Sequence, residues 1–280
     1  MENMNLVNLV ASSLGAKLSS APNPGDYVCP DTGLLMCGRC GEPRQLIARL
    51  PHDRIMPRGC ACVRKEWEQK AAEDKAAEER GRIRELRKAG IPDPGLRAKT
   101  FDSSTPSRQL EQAQKYVEAW PRMAEHNIGM LFWGGTGSGK THTAACVANA
   151  LIDRGIRAGV TSTAELMAVA YNDRPAELRR LVSLDLLVLD DLGAERDSAY
   201  AMETVYAVVD GRLKAGRPMV VTTNLSLSDI RNPGDMGRER IYQRVLEACQ
   251  PVRFDEPSHR AGVSDEKRKI LAEVFGGGAE

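Results

Sequence analysis

The run Gly134-Gly135-Thr136-Gly137-Ser138-Gly139-Lys140-Thr141 limits what this chain can become more than any other stretch. It has the form Gly-x-x-x-x-Gly-Lys-Thr. An apolar stretch, Ile128 to Trp133, precedes it, and an Ala-rich stretch, Thr141 to Ile152, follows. The first reads as a buried strand and the second as a helix. A glycine-rich loop in that setting wraps closely around phosphates, while backbone N–H groups and the helix N-terminus supply positive potential. Lys140 is expected to reach the β- and γ-phosphates of a nucleoside triphosphate, and the Thr141 hydroxyl to sit on Mg²⁺. A plain glycine-rich turn is the competing reading, and the full motif in its strand–loop–helix setting outweighs it.

Leu186-Leu187-Val188-Leu189-Asp190-Asp191 reads as a buried strand that delivers two carboxylates to its C-terminal end, where open α/β sheets bind ligands. Asp190 is expected to hold Mg²⁺, and Asp191 to orient or polarise the attacking water. The rival is a strand that ends in an acidic turn. A further strand, Pro218 to Thr223, ends at Asn224, whose amide suits either the γ-phosphate and lytic water or an ordinary turn. Arg238, Arg240 and Arg244 fall in a helix-like segment, Gly237 to Cys249. They read as a solvated basic face or, more sharply, as carrying an arginine finger that reaches a neighbouring subunit's nucleotide. That second reading implies self-association.

Strand-like and helix-like segments alternate around these motifs. Met202, Val205, Tyr206, Val209 and Leu213 recur at helical spacing between Ala199 and Ala215. The alternation predicts a doubly wound α/β domain with a parallel sheet over residues 98–262. Residues 1–26 read as a flexible segment, 64–97 as a charged helix and linker with i,i+4 pairs such as Glu66–Lys70, and 263–280 as a tail with a short frayed helix. The net charge of +1 requires any basic surface to be local. No apolar run is long enough to span a bilayer, and the N-terminus lacks a basic n-region, so a cytoplasmic protein without membrane contact is expected.

Five of the seven cysteines crowd between Cys29 and Cys62. Cys37-x-x-Cys40 and Cys60-x-Cys62 place four thiolates in two close pairs, expected on opposing turns around a structural Zn²⁺ within a module over residues 27–63. Cys29 is a spare, either a replacement ligand or a plain free thiol. A redox dithiol is the alternative, but no thioredoxin-like βαβ context surrounds Cys37.

Together these features resemble the bacterial and phage helicase loaders of the DnaC/DnaI type within the AAA+ ATPases. The resemblance is carried by "AGIPDPGLRAKTFDSS" (89–104), "GGTGSGKTHTAA" (134–145), "LLVLDDLGAE" (186–195), "VVTTNLS" (220–226) and "RIYQRVLEACQPVRFDEPSHR" (240–260). It implies a P-loop AAA+ core behind a small zinc module and a charged helix. It makes Lys140 and Thr141 Walker A, Asp190 and Asp191 Walker B, Asn224 sensor 1 and Arg244 the finger. Arg260 becomes the arginine that senses nucleotide in cis, and Glu195 an assistant to the lytic water. The implied activity is ATP hydrolysis coupled to placing a hexameric ring helicase on single-stranded DNA, with the zinc module as the partner-binding end. Arg174, Arg179 and Arg180 are candidate DNA contacts, against the plainer reading of a solvated helix face. Two alternatives stand beside this: an IstB-type transposition ATPase, and a nucleotide-gated, zinc-containing scaffold with little turnover.

Overall fold

A computed structural model describes residues 23–50, 52–170, 172–194, 199–255, 268 and 270–275. The chain divides into two compact units, Met1–Arg80 and Gly81–Glu280. The division falls inside a long helix, α1 (Ala61–Gly90).

The described part of the first unit holds two small antiparallel ribbons, β1 (Tyr27–Val28) with β2 (Leu35–Met36), and β3 (Gln45–Leu50) with β4 (His52–Pro57). So small a module has little apolar core, and polar contacts tie it together. Asp26 and Arg44 form a buried ion pair, and Asp26 also accepts from the backbone N–H groups of Asn23 and Gly38. Glu42 accepts from the backbone N–H of Ala61 at 2.8 Å, satisfying one of the orphan donors at the start of α1.

The second unit is a five-stranded parallel sheet in the order β6-β7-β8-β5-β9. The strands are β5 (Gly129–Gly134), β6 (Ala158–Ser162), β7 (Leu186–Leu192), β8 (Met219–Thr223) and β9 (Cys249–Phe254). Strand residues alternate between two cores, as period-2 side chains must when both faces are covered. Met130, Phe132, Leu186 and Val188 pack on one face with Val147, Leu151 and Trp120. Leu131, Leu187 and Leu189 pack on the other with Val205, Val209 and Ile241. Pro251, which has no N–H to donate, sits in the edge strand β9.

Helices α2 (Pro94–Arg97), α3 (Arg108–Glu118), α4 (Trp120–Glu125), α5 (Lys140–Asp153), α6 (Thr163–Ala168), α7 (Arg174–Ser183), α8 (Ala199–Lys214), α9 (Leu227–Arg231) and α10 (Met236–Ala248) complete the unit. The α/β core expected from the sequence is therefore present. In the C-terminal tail, residues 268 and 270–275 are helical.

One local expectation changes. Helix α1 begins at Ala61, so Cys60 and Cys62 straddle a helix start instead of occupying a turn. Strand β7 carries both carboxylates near its C-terminal end and continues to Leu192, with a register shift against β8 between Leu189 and Leu192.

Candidate nucleotide site and cysteine centre

The loop between β5 and α5 lies at the C-terminal edge of the sheet, where β5, β7 and β8 end side by side. Gly134 has φ of 133°, and a Cβ there would fall 2.1 Å from the Phe254 carbonyl oxygen, so no side chain fits while β9 stays paired. Gly139 is the N-cap of α5 and supplies no side-chain cap. The first turn of α5 thus keeps backbone donors aimed at the loop, the arrangement that suits an anion. Lys140 is buried at 5% exposure, and its Nζ donates to the carbonyls of Gly134 (2.9 Å) and Gly135 (2.6 Å). An ammonium held over the loop's own carbonyls stands where phosphate oxygens would compete for it. Ser138 Oγ donates to the Gly135 carbonyl at 2.8 Å and braces the same turn.

Asp190 is the second pole. Its Oδ1 accepts from Thr141 Oγ1 at 2.9 Å and from Thr222 Oγ1 at 2.5 Å. Burial pushes the Asp190 carboxyl above its ordinary value; the two threonine hydroxyls oppose that shift, and the charges of Asp191 and Glu165 add to it. A hard divalent cation would relieve this buried carboxylate. Thr141 and Asp190 are the residues that could hold such a cation, since both carry the oxygen atoms it takes as ligands.

Asp191 adopts φ of 56°, the left-handed region that a non-glycine residue enters at a cost. Its backbone N–H donates to Thr222 Oγ1 at 3.0 Å, and its carbonyl accepts from Thr163 Oγ1 at 3.1 Å. The Asp191 side chain is half-buried, next to Asp190 near the end of the strand. Thr222 was not recognisable beforehand as part of this site. It is one threonine of a Val-Val-Thr-Thr strand, and only the fold shows that its hydroxyl serves both Asp190 and Asp191.

Asn224 follows the last residue of β8 and is exposed. Arg244 lies on α10, where its guanidinium pairs with Glu247 at 2.9 Å and with Asp210 of α8 at 3.4 Å. Arg240 stacks over Tyr206 at 5.2 Å. Of the DNA candidates on α7, Arg174 donates to the Val169 carbonyl and stacks on Tyr200, and Arg180 holds Glu177 through two bonds of 2.7 Å. Arg179 is exposed. Arg260 and Glu195 lie outside the described residues.

In the first unit, the sulfurs of Cys37, Cys40, Cys60 and Cys62 all lie within 4.8 Å of one another. Tetrahedral zinc with Zn–S of about 2.3 Å needs sulfurs about 3.8 Å apart, so the quartet fits that ion without rearrangement of the fold. Cys29 is not part of the quartet. The first pair sits on a tight turn closed by the Gly41 N–H to the Cys37 carbonyl at 2.8 Å. Backbone donors from Cys62 and Glu42 pull the Cys40 thiol down to about 6, while contact with Cys40 pushes the Cys62 thiol up to about 11 and burial raises Cys60; a metal that binds all four sulfurs must displace protons from the raised thiols.

A family model described as IstB-like ATP binding protein matches residues 71–266 of the chain. The chain belongs to the IstB-like ATP binding protein family. It is 31% identical over 164 residues to the replicative helicase loader DnaC of Escherichia coli K12, a match that spans 55% of this chain and 64% of that protein. The chain thus covers less than two thirds of that relative's length. A protein of Mycobacterium tuberculosis described as an ATP-binding protein in an insertion sequence is 24% identical over 146 residues, which is 50% of this chain and 58% of the relative. Among solved structures, that of the DnaC helicase loader aligns with a TM-score of 0.50 at 24% identity, covering 58% of this chain and all of the other (100%). DnaI aligns at 0.50 with 20% identity, covering 57% of this chain and 93% of its own. These likenesses place the second unit in the AAA+ ATPase fold, and family membership makes ATP its nucleotide.

Proposed function

We propose that this protein is an ATP-driven loader that places a hexameric replicative helicase on single-stranded DNA. The observation that carries the reading is the triangle of Thr141, Asp190 and Thr222 beside Lys140, in a chain of this family whose sequence is similar to DnaC. In this reading residues 98–262 are the ATPase domain and the loop from Gly134 to Thr141 cradles the phosphates. Thr141 and Asp190 would hold the magnesium that offsets phosphate charge during transfer to water. Asp191 and Asn224, at the ends of neighbouring strands, orient the attacking water. Arg244 leaves Asp210 and Glu247 to complete the site of an adjacent subunit, and Arg260 reads nucleotide in its own. Residues 27–63, closed by structural zinc, form the helicase-docking module, and residues 64–97 link it to the ATPase. Single-stranded DNA is held by its backbone at basic residues, with Arg179 the best placed on α7 because Arg174 and Arg180 are already engaged. Such contacts weaken steeply with salt.

The test is to mix the purified protein with the replicative helicase of its source and measure complex mass with ATP, with ADP and without nucleotide. A nucleotide-sensitive complex of the hexamer with several copies of this chain supports the loader. The family model and the mycobacterial relative favour a second reading, an ATPase that assembles on DNA for a transposase. No helicase complex in any state, together with ATP-dependent assembly on DNA alone, would select it.

A further inference from the structure

The longer ribbon of the first unit exposes large apolar side chains on both of its faces. Leu46 (38%), Ile47 (48%), Ile55 (60%) and Met56 (50%) all reach solvent. Leu46 lies opposite Met56 in the β3–β4 register, and Ile47 opposite Ile55. Directly opposed residues share a face, and successive residues alternate between faces. Each face of the ribbon therefore presents one apolar cross-strand pair. A ribbon with a single apolar face is covered by lying flat on a surface. One with two is covered only by entering a groove between two walls.

Charge narrows what that groove can be. Between Arg44 and Lys65 the sequence has six basic residues and one acidic residue, a local excess in a chain whose net charge is +1. Three arginines of the unit are already satisfied: Arg39 pairs with Glu66, Arg44 with Asp26 and Arg64 with Glu42. Arg54 and Arg58 are exposed, and among the described residues no carboxylate pairs with either. Arg54 stands opposite Ala48, on the face of Leu46 and Met56. Arg58 follows β4, and its backbone N–H donates to the carbonyl of the buried Arg44 at 2.7 Å. Its backbone is thus fixed to the core of the module, two residues before Cys60 of the quartet. Duplex DNA offers a groove with matching walls. The major groove admits a two-stranded ribbon, phosphates accept from arginine, and thymine methyl groups supply apolar contact. The ribbon has no Phe, Tyr or Trp on which unpaired bases could stack, so a single strand is matched less well.

We propose that the β3–β4 ribbon is a further nucleic-acid contact, which enters a groove of double-stranded DNA with Arg54 and Arg58 on the phosphates and the two apolar pairs against the groove. It recognises backbone and groove shape with little sequence preference. The contact needs neither nucleotide nor helicase, and it stands independently of the loader reading.

The experiment is fluorescence anisotropy of a short labelled duplex, and of one of its strands alone, titrated with the full chain purified with zinc and without nucleotide, across a range of salt concentrations. The proteins are the wild type, the double variant Arg54→Ala with Arg58→Ala, and Ile55→Ser. Duplex affinity falls about tenfold in the double variant, and the slope of log affinity against log salt falls by about two, one for each phosphate contact removed. Ile55→Ser weakens duplex binding several-fold and leaves the slope unchanged. Single-strand affinity is unaffected in both. Zinc content and thermal melting check folding, and Arg54→Ala alone, with about half the loss of slope, decides the matter if the double variant does not fold. A wild type that fails to bind duplex at low salt overturns the proposal, as does an arginine variant with wild-type affinity and slope. Equal losses on duplex and single strand would reduce the effect to general charge attraction and overturn the groove. Loss of helicase capture with duplex binding intact would make the ribbon a protein-docking face instead.

Discussion

The Thr141 hydroxyl donates to Asp190 Oδ1 at 2.9 Å, 49 residues away in sequence, and so ties the loop after β5 to the end of β7. Thr222 reaches the same oxygen from β8. The carboxylate is thus held between two strand ends before any ligand arrives, and such preorganisation is what electrostatic catalysis requires.

Thr222→Val keeps the shape of the strand and removes the hydroxyl. The Asp191 N–H then loses its acceptor, and Asp190 loses a donor. A stability loss of about 1–3 kcal/mol is expected from the unsatisfied amide, together with weaker magnesium-dependent ATP binding. Urea denaturation and calorimetry with and without magnesium measure the two effects. A variant that matches the wild type in both would remove Thr222 from the site.

Arg244 is a further test case. Its side chain is 39% exposed; Glu247 is an exposed carboxylate, and the largely buried Asp210 keeps Lys214 at 2.6 Å as a partner, so Arg244→Ala is expected to cost about 1 kcal/mol of stability. As a finger it is worth about 10³ or more in turnover. Steady-state hydrolysis should collapse, then recover when Arg244→Ala is mixed with a subunit defective at Asp190 alone. Hydrolysis that survives the substitution would leave Arg244 as a surface ion pair.

Asp185 gives a pH dependence. Burial raises its carboxyl, but hydrogen bonds and charge from Arg157, with Arg217 adding, outweigh burial and leave it below its ordinary value. A carboxylate whose pKa is lower in the folded state adds stability above its unfolded value, about 3.9, and loses it as pH falls through the folded value. Asp185→Asn should therefore lower the melting temperature at neutral pH, and the gap to the wild type should close as the pH drops below the carboxylate range. A gap that persists unchanged in acid would show that packing, not charge, sets the effect.

Gly38 tests the cysteine centre. A Cβ there would lie 1.9 Å from the Gly25 carbonyl oxygen, so Gly38→Ala must shift the turn that presents Cys37 and Cys40. Expected are a bound zinc content well below one per chain by elemental analysis and unchanged ATP affinity. Full zinc retention would show that the turn yields without disturbing the ligands.

Much of this arrangement was legible in the sequence, for definable reasons. The strand–loop–helix around Lys140 and the apolar run into Asp190 are contiguous, so local pattern alone reports them. The two cysteine pairs were visible for the same reason. Arg212 was not. Its guanidinium is fully buried (0% exposed) and donates to the carbonyls of Leu181, Val182, Leu184, Asp185 and Pro218. Those acceptors come from the end of α7 and from strand starts brought together only by tertiary folding, while Arg212 itself reads as an ordinary helix-surface cation. Thr222 and the left-handed Asp191 escaped likewise: each depends on contacts distant in the chain.

The measurement closest to the central claim is helicase loading onto closed circular single-stranded DNA, which has no end for a ring to thread. Helicase, this protein and ATP are combined, and DNA-bound helicase is counted with wild type, Lys140→Ala and Asp190→Asn. The account predicts helicase on the circles only with the wild type and ATP, and few or none with either variant. Loading that is equal with and without this protein, or that survives both substitutions, would contradict it.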